Sequence, residues 1–264
     1  MLLKDKIVIV SGVGPGLGVR LARRAADLGA GAVVLGDVVG SRTDDAAARI
    51  RADGHDCEIL SVTTDITDID QCTSLADMTV ERFGRIDALI NSAYLHGPWE
   101  PSGAATMAGW RQAMEVTLYG SMQMTQAVIP QMTRQTDGSI VMINTVATRR
   151  VNQLESAYAV SKGALATAVQ YLAEDLGPLG IRVNSTYIGW MDGEPVRQYL
   201  EAESERQGIT ADALADEIGK QIPLRNEIPR EEDCATASLF LASDYARAIT
   251  GAHLDVNGGF FLGR

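Results

Sequence analysis

Short apolar runs alternate with segments of helical periodicity along nearly the whole chain. Ile7–Val10 reads as a strand and is followed by a helical pattern from Leu17 to Leu28. A second strand, Ala32–Leu35, ends at Gly36-Asp37, and a polar helix is expected around Asp44 to Asp53. Next come a strand near Glu58–Val62 ending in Thr64-Asp65, a helix over 68–83, and a strand at Ala88–Asn91. Trp110 to Met132 predicts one long helix. Ile140–Thr145 is a buried strand after Asp137-Gly138, and Ser156 is the expected N-cap of a helix running to about Leu176. A strand at Ile181–Tyr187, a helix over 230–242 and a closing strand at His253–Val256 complete the order. Strands that alternate with helices predict a doubly wound α/β fold, with a parallel sheet of about seven strands covered on both faces. No repeat, low-complexity tract or linker divides the chain, so residues 1–264 are expected to form a single domain.

One stretch breaks the rhythm. Gly189 to Arg225 is polar and Glu-rich, without a strand signal, and predicts two short helices, Glu194–Gln207 and Ala211–Lys220, separated by Gly208. An insertion after a strand's carboxyl end lies at the binding edge of such a sheet, which suits a substrate lid over about 189–225. A surface excursion or a subunit contact is the other reading of the same stretch.

Two local patterns carry chemistry. Tyr158 and Lys162 are four residues apart on one predicted helix, so their side chains share a face. A free phenol titrates near ~10, and bringing it to neutrality needs roughly 3–4 kcal/mol of preference for the phenolate. A nearby cation in a partly desolvated cleft can supply that preference. The second pattern is Ser11-Gly12-Val-Gly-Pro-Gly16-Leu-Gly18, at the turn from the first strand into the first helix. Glycine there permits a tight turn and lets a pyrophosphate approach the backbone at a helix N-terminus. Asp37, 19 residues beyond Gly18, ends the second strand, where a carboxylate can accept ribose hydroxyls and repel a 2′-phosphate. Neither Pro15 nor Val38 offers a cation, which favours NAD over NADP, although Arg42 is nearby.

Composition narrows the partners. The chain has 264 residues and a net charge of −11, which disfavours nucleic acid and anionic membranes. Cys57, Cys72 and Cys234 are few and not in metal-ligand spacing, so no metal site is expected. The start of the chain enters a strand without a signal peptide, and no apolar run reaches the length of a membrane span, so a cytoplasmic protein is expected.

Together these motifs resemble the short-chain dehydrogenase/reductase family over essentially the full length. The glycine turn resembles the family's TGxxxGxG, Tyr158–Lys162 its YxxxK, and Asn91-Ser92-Ala93-Tyr94 its NNAG. Ile181-Arg-Val-Asn184 resembles the IRVN strand, and Asp255-Val-Asn-Gly-Gly259 the C-terminal strand. The resemblance implies a Rossmann fold and hydride transfer between a nicotinamide and an alcohol or ketone. It implies Tyr158 as general acid/base, and Lys162 lowering the Tyr pKa and holding the nicotinamide ribose. It sets Gly12, Gly16, Leu17, Gly18, Asp37, Asp65, Ile66, Asn91, Ala93, Ile188 and Met191 around the dinucleotide, with Asp65 at the adenine. It also implies a homotetramer or homodimer built through the helices at 110–132 and 157–176.

The chain departs from the family in several places. The hydroxyl thirteen residues before Tyr158 is Thr145 rather than Ser, and the strand end reads Asn144-Thr145 in place of a Ser pair. Thr keeps the donor that orients the substrate oxygen, while its methyl narrows the site. The catalytic Asn of the family falls at Thr117, which has no carboxamide to hold a relay water and whose hydroxyl is expected to bond back within its own helix. The NNAG glycine is Tyr94, and the Pro-Gly after IRVN is Ile188-Gly189.

The substrate pocket is expected from Tyr94, His96 and Trp99, from Arg149 and Asn152, and from Trp190 and Met191 at the lid base. This mostly aromatic and apolar set suits a hydrophobic, cyclic or steroid-like secondary alcohol or ketone. The competing class is a dinucleotide-binding sensor or partner subunit with weak or lost catalysis, motivated by Thr117 and Thr145.

Overall fold

A computed structural model describes residues 1–151 and 154–263. Seven strands form one parallel sheet: β1 (Ile7–Ser11), β2 (Ala32–Asp37), β3 (Glu58–Thr63), β4 (Ala88–Asn91), β5 (Gly138–Thr145), β6 (Ile181–Ile188) and β7 (His253–Val256). Their order is β3-β2-β1-β4-β5-β6-β7. The expected strands are all present, each within a residue or two of its predicted bounds. β1, β2, β4 and β5 are buried along nearly their whole length, which is why they read as continuous apolar runs rather than alternating ones.

Helices cover both faces. α1 (Leu17–Asp27), α2 (Gly40–Ala52) and, late in the chain, α9 (Glu231–Ala242) enclose one apolar core with Val8, Val10, Val33 and Leu35. On the other face, α3 (Ile69–Phe83), α5 (Ser121–Gln135) and α6 (Ser156–Leu176) enclose a second core with Ile9, Leu89, Ile140 and Met142. The predicted long helix is interrupted. It runs as α4 (Met107–Met114), a π-helical turn at Glu115–Gly120, and α5, and the turn carries Thr117 inward. Ser156 is the first helical residue of α6 and not its cap; Glu155 holds the cap position without a side-chain bond. α2 starts earlier than predicted, because Gly40 and Thr43 already bond in its first turn.

Segment 189–225 folds into α7 (Glu194–Gln207) and α8 (Ala211–Gly219) around a small core of Leu200, Leu214, Ile218 and Ile222. Pro195, in the first turn of α7, lies against Gly16. The chain leaves β1 toward β2 and β3, then returns to place β4 on the other side of β1. At that reversal the crossover helices diverge, and a cleft opens at the carboxyl ends of the strands. Among the described residues, no helix is long and apolar enough to cross a membrane, and no group of His, Cys, Asp or Glu could hold a metal ion.

Candidate active site

The cleft has a volume of about 650 Å³ and runs from the glycine turn to Met191. Its floor at β1 depends on glycine. Gly12 has φ +88, and a Cβ there would lie 2.4 Å from the Ala93 nitrogen. A Cβ on Gly18 would meet the Gly12 carbonyl at 2.1 Å, so α1 approaches the end of β1 closely only because Gly18 lacks a side chain. The cap position of α1, Gly16, offers no side-chain bond, and the following Leu17 and Gly18 line the cleft. An uncapped helix N-terminus facing a cavity is an anion site.

Asp37 closes the next stretch of wall. Its carboxylate is buried and accepts the Val13 N–H at 3.0 Å and the Val39 N–H at 2.9 Å, with Arg42 Nη1 3.4 Å away. Asp65 accepts from the Thr67 N–H and hydroxyl, and Ile66 lies beside it in the cleft wall. These residues fit an adenosine, and the uncapped turn fits a pyrophosphate. A nicotinamide dinucleotide is therefore compatible with the residues present.

At the other end stand the reactive side chains. β5 carries Thr145 to its tip, and the first turns of α6 bring Tyr158 and Lys162 beside it. Burial pushes the Tyr158 phenol well above its ordinary value, and the neighbouring Thr145 side chain offsets this only in part. Lys162 is the largest fully buried side chain. Its Nζ donates to the Ile143 carbonyl at 2.5 Å and lies 5.9 Å from the centre of the Tyr158 ring. Burial alone brings it down to about 7. The Lys162 ammonium is turned to a backbone carbonyl, and both it and the phenol bear desolvation.

Behind Tyr158 is an aromatic stack that pairwise spacing in the sequence does not reveal. His96 stacks on Tyr158 with ring centres 4.7 Å apart and on Trp99 at 3.9 Å, while Tyr94 is tilted against Tyr158 at 5.4 Å. Glu155 lies 3.5 Å from His96 Nε2. A side cavity of about 320 Å³ shares Thr145 and Gly189 with the main cleft and is walled by Val146, Trp190, Ile218 and Phe260. Its polar groups are Glu155, Gln221 and Arg150, whose guanidinium bonds Gln221 and stacks over Phe260.

Most of the expected residues converge. Gly12, Leu17, Gly18, Asp37, Asp65, Ile66, Ala93, Tyr94, Thr145, Tyr158, Lys162, Ile188 and Met191 all line the main cleft. Gly16 shapes the turn against Pro195, and Trp190 faces the side cavity. Asn91 is different. Its amide is buried and donates to Thr125 and to the Met142 sulfur, tying β4 to α5 and β5. Thr117 also departs from expectation. Its hydroxyl does not bond back within the helix; it accepts the Leu95 N–H at 3.0 Å and donates to the Leu95 carbonyl at 3.2 Å. The π-helical turn aims it at the loop after β4, so it anchors that loop and its one hydroxyl proton is already committed. Arg149 pairs with Asp255 and covers Tyr187, away from the cleft. Asn152 lies outside the described residues.

Two residues of the walls have no role readable from the sequence. Asn144 lines the cleft with neither amide atom partnered, and Glu155 borders the side cavity beside His96. A polar amide ending an apolar strand is a signal for Asn144; Glu155 has none, because only the fold brings it to His96.

The turn, the acidic strand end and the Tyr–Lys pair in one cleft define a dinucleotide-binding α/β oxidoreductase. The family described as enoyl-(acyl carrier protein) reductase matches residues 12–261. The cis-4-hydroxycyclohexanecarboxylate dehydrogenase of Sinomonas cyclohexanicum is 32% identical over 256 residues, covering 97% of this chain and 96% of that protein. The 7alpha-hydroxysteroid dehydrogenase of Escherichia coli (strain K12) is 30% identical over 257 residues, covering 97% and 94%. The crystal structure of NAD+-bound xylitol dehydrogenase superposes with a TM-score of 0.87 at 26% identity, covering 97% of this chain and 99% of that one. The chain belongs to the short-chain dehydrogenase/reductase family.

Proposed function

We infer that this protein transfers a hydride between NAD and a hydrophobic, cyclic secondary alcohol or its ketone. The observation that carries this reading is the placement of Thr145, Tyr158 and Lys162 on one wall of the cleft, where it meets a side cavity walled by Val146, Trp190, Ile218 and Phe260, with Glu155, Gln221 and Arg150 as its polar groups. Two relatives bear names with hydroxyls on cyclohexane and steroid skeletons, in keeping with such a cavity. Bound at this cleft, the dinucleotide supplies the hydride acceptor or donor. Asp37 favours NAD, because its buried carboxylate repels a 2′-phosphate; Arg42 moderates that repulsion without neutralising it, being half-exposed at 3.4 Å.

The protein's own residues handle the proton. The Thr145 hydroxyl, held by the Ala147 N–H at 3.2 Å, orients the substrate oxygen. Tyr158 takes the proton of an alcohol or gives one to a ketone. Oxidation needs the phenolate, and burial pushes the phenol up, so oxidation climbs with pH into the alkaline range while reduction falls. Lys162 holds the ribose and, when charged, favours the phenolate. The apolar walls exclude water from the reacting carbon. α6 leaves Val160 and Tyr171 exposed, which supports a homodimer or homotetramer built through it, and we assign the protein to the cytoplasm.

A panel of cyclic secondary alcohols with NAD, followed by absorbance of the reduced nicotinamide, tests the reading. Thr117, whose hydroxyl proton is committed to Leu95 and which has no carboxamide, favours the second reading of a dinucleotide-binding subunit without catalysis. NAD binding with no turnover across the alcohol and ketone panel would establish that alternative.

A further inference from the structure

The side cavity holds a cation that the chemistry at Tyr158 does not use. Arg150 lies just past the end of β5, where its backbone N–H donates to the Val146 carbonyl at 2.8 Å. Its guanidinium donates to the Phe260 carbonyl at 3.2 Å and to Gln221 Oε1 at 2.9 Å, and lies over the Phe260 ring, 3.9 Å from its centre. Three segments far apart in sequence therefore fix one charged fork: the loop after β5, the turn beyond α8 and the chain after β7. All of these partners are neutral. Among the described residues Arg150 has no carboxylate partner, whereas the adjacent Arg149 is paired with Asp255 at 2.6 Å. A guanidinium carries five N–H donors, and side-chain bonds to the protein take two of them. A held, unneutralised cation on a cavity wall, with donors to spare, is arranged to receive an anion.

We propose that Arg150 determines specificity by binding a carboxylate at the end of the substrate remote from its hydroxyl. The proposal rests on the reading of the cleft as a site for cyclic secondary alcohols, and it names their class: hydroxy acids on a small ring. Thr145, which orients the reacting oxygen, borders the main cleft and this cavity alike. A molecule held there by its oxygen has Trp190 and Ile218 along its body and Arg150 within the same cavity. A volume of about 320 Å³ is at the small end of ligand pockets, which start at roughly 300 Å³, and suits one ring with a short acidic arm better than a fused ring system. The planar fork of a guanidinium matches both oxygens of a carboxylate, a bidentate pairing that a lysine cannot copy. Glu155 gives the cavity its direction. It lies 3.5 Å from His96 Nε2, on the side of the His96–Tyr158 stack, and repels an anion from that end. The acid is thereby turned to Arg150 and the hydroxyl to Thr145. Gln221 is a positioning residue, since its amide oxygen holds the fork that meets the acid.

The probes are cyclohexanols carrying a ring carboxylate, the matching carboxamide or the matching aminomethyl group, as cis and trans isomers, each oxidised with NAD. The wild type should favour the carboxylate over the carboxamide about tenfold in kcat/KM, the discrimination of one charge-assisted hydrogen bond at a partly exposed site, chiefly through a lower KM. Added salt should shrink that preference. Arg150→Met should remove most of it, raising KM for the acid while kcat changes far less. Arg150→Lys should keep an intermediate preference, and Gln221→Leu should lose part of it. Turnover of the carboxamide with no preference for the acid overturns this proposal and leaves the functional reading standing. A preference for the ammonium overturns it too, giving the cavity to Glu155. Equal losses on acid and carboxamide in Arg150→Met assign the residue a structural role and have the same consequence. If Arg150→Met does not fold by circular dichroism, Arg150→Lys and the wild-type ranking decide. Turnover of none of the probes overturns the functional reading, and the subsite is then read by tryptophan fluorescence, to which Trp190 in the cavity wall contributes. Tighter binding of the acid than of the carboxamide, lost in Arg150→Met, upholds the subsite; equal binding overturns it.

Discussion

The two ends of the cleft handle buried polar groups in opposite ways. At the Asp37 end, the carboxylate is already bonded to two backbone N–H groups and approached by Arg42, and Asp65 is bonded within its own turn. At the Tyr158 end, Lys162 has one partner, Asn144 none, and His96 leaves Nδ1 buried and unpaired. One end is a finished recognition surface. The other retains desolvated donors and acceptors, at a cost in stability, where protons must move. Recognition and chemistry, though in one cavity, therefore place opposite demands on folding, and substitutions should separate them.

The largest effect is expected at Tyr158. Tyr158→Phe should lower turnover about 10²–10⁴-fold, the range of a lost general acid/base, with NAD affinity nearly unchanged in a binding titration. If affinity fell with the rate, the two ends would not be separable.

Lys162→Met should lower kcat by about 10²-fold while the fold is no less stable, because it removes a desolvated ammonium. The pH dependence gives the sign. The folded-state value of about 7 lies below the ordinary 10.5, so the unfolded chain binds more protons between those limits. Wild-type stability therefore rises as pH increases from about 7 toward 10.5, and below 7 the full penalty remains. Denaturant melts across that range should show the rise in the wild type and its loss in Lys162→Met.

Asp37→Ala acts at the finished end and should behave in the reverse sense. It strands the Val13 and Val39 N–H groups, so stability should fall by about 1–3 kcal/mol in urea melts. Discrimination between NAD and NADP should shrink about tenfold or more, read as a ratio of kcat/KM values, with kcat on NAD changed far less. Unchanged discrimination would remove Asp37 from the specificity assignment.

The smallest effect is expected at His96. Its ring is held between Trp99 and Tyr158, so His96→Ala should lower kcat about three- to tenfold by loosening the phenol, and His96→Phe should restore most of it through stacking. Steady-state kinetics of the two variants check this. Equal losses in both would assign His96 a polar role instead.

Much of the fold and of the cleft is legible in the amino-acid sequence. The succession of strands and helices follows from the alternation of apolar runs with helical periodicity. Asp37, Tyr158 and Lys162 stand at readable spacings, because each lies at a fixed offset from a strand end or along one helix turn. The misreadings share a cause. Helical periodicity directs the Thr117 hydroxyl back into its own helix, and the motif sets Asn91 toward the cofactor. A π-helical turn and the packing of β4 against α5 re-aim both side chains. Neither feature has a local sequence signature. Ser156 is not a cap because the helix begins one residue sooner than its hydroxyl suggests.

Local sequence is enough to set the parallel α/β order, the glycine turn that demands a φ unsuited to side chains at Gly12, and the sharing of one helix face by Tyr158 and Lys162. Those are properties of backbone sterics and of local periodicity, which a few neighbouring residues suffice to impose. At the Tyr158 end, which polar groups find partners is a matter of long-range packing. Lys162 turns to the Ile143 carbonyl, Glu155 meets His96, and Asn144 is left without a hydrogen bond. Desolvation and hydrogen-bond satisfaction depend on everything packed around a group, and its surroundings come from parts of the chain far apart in sequence.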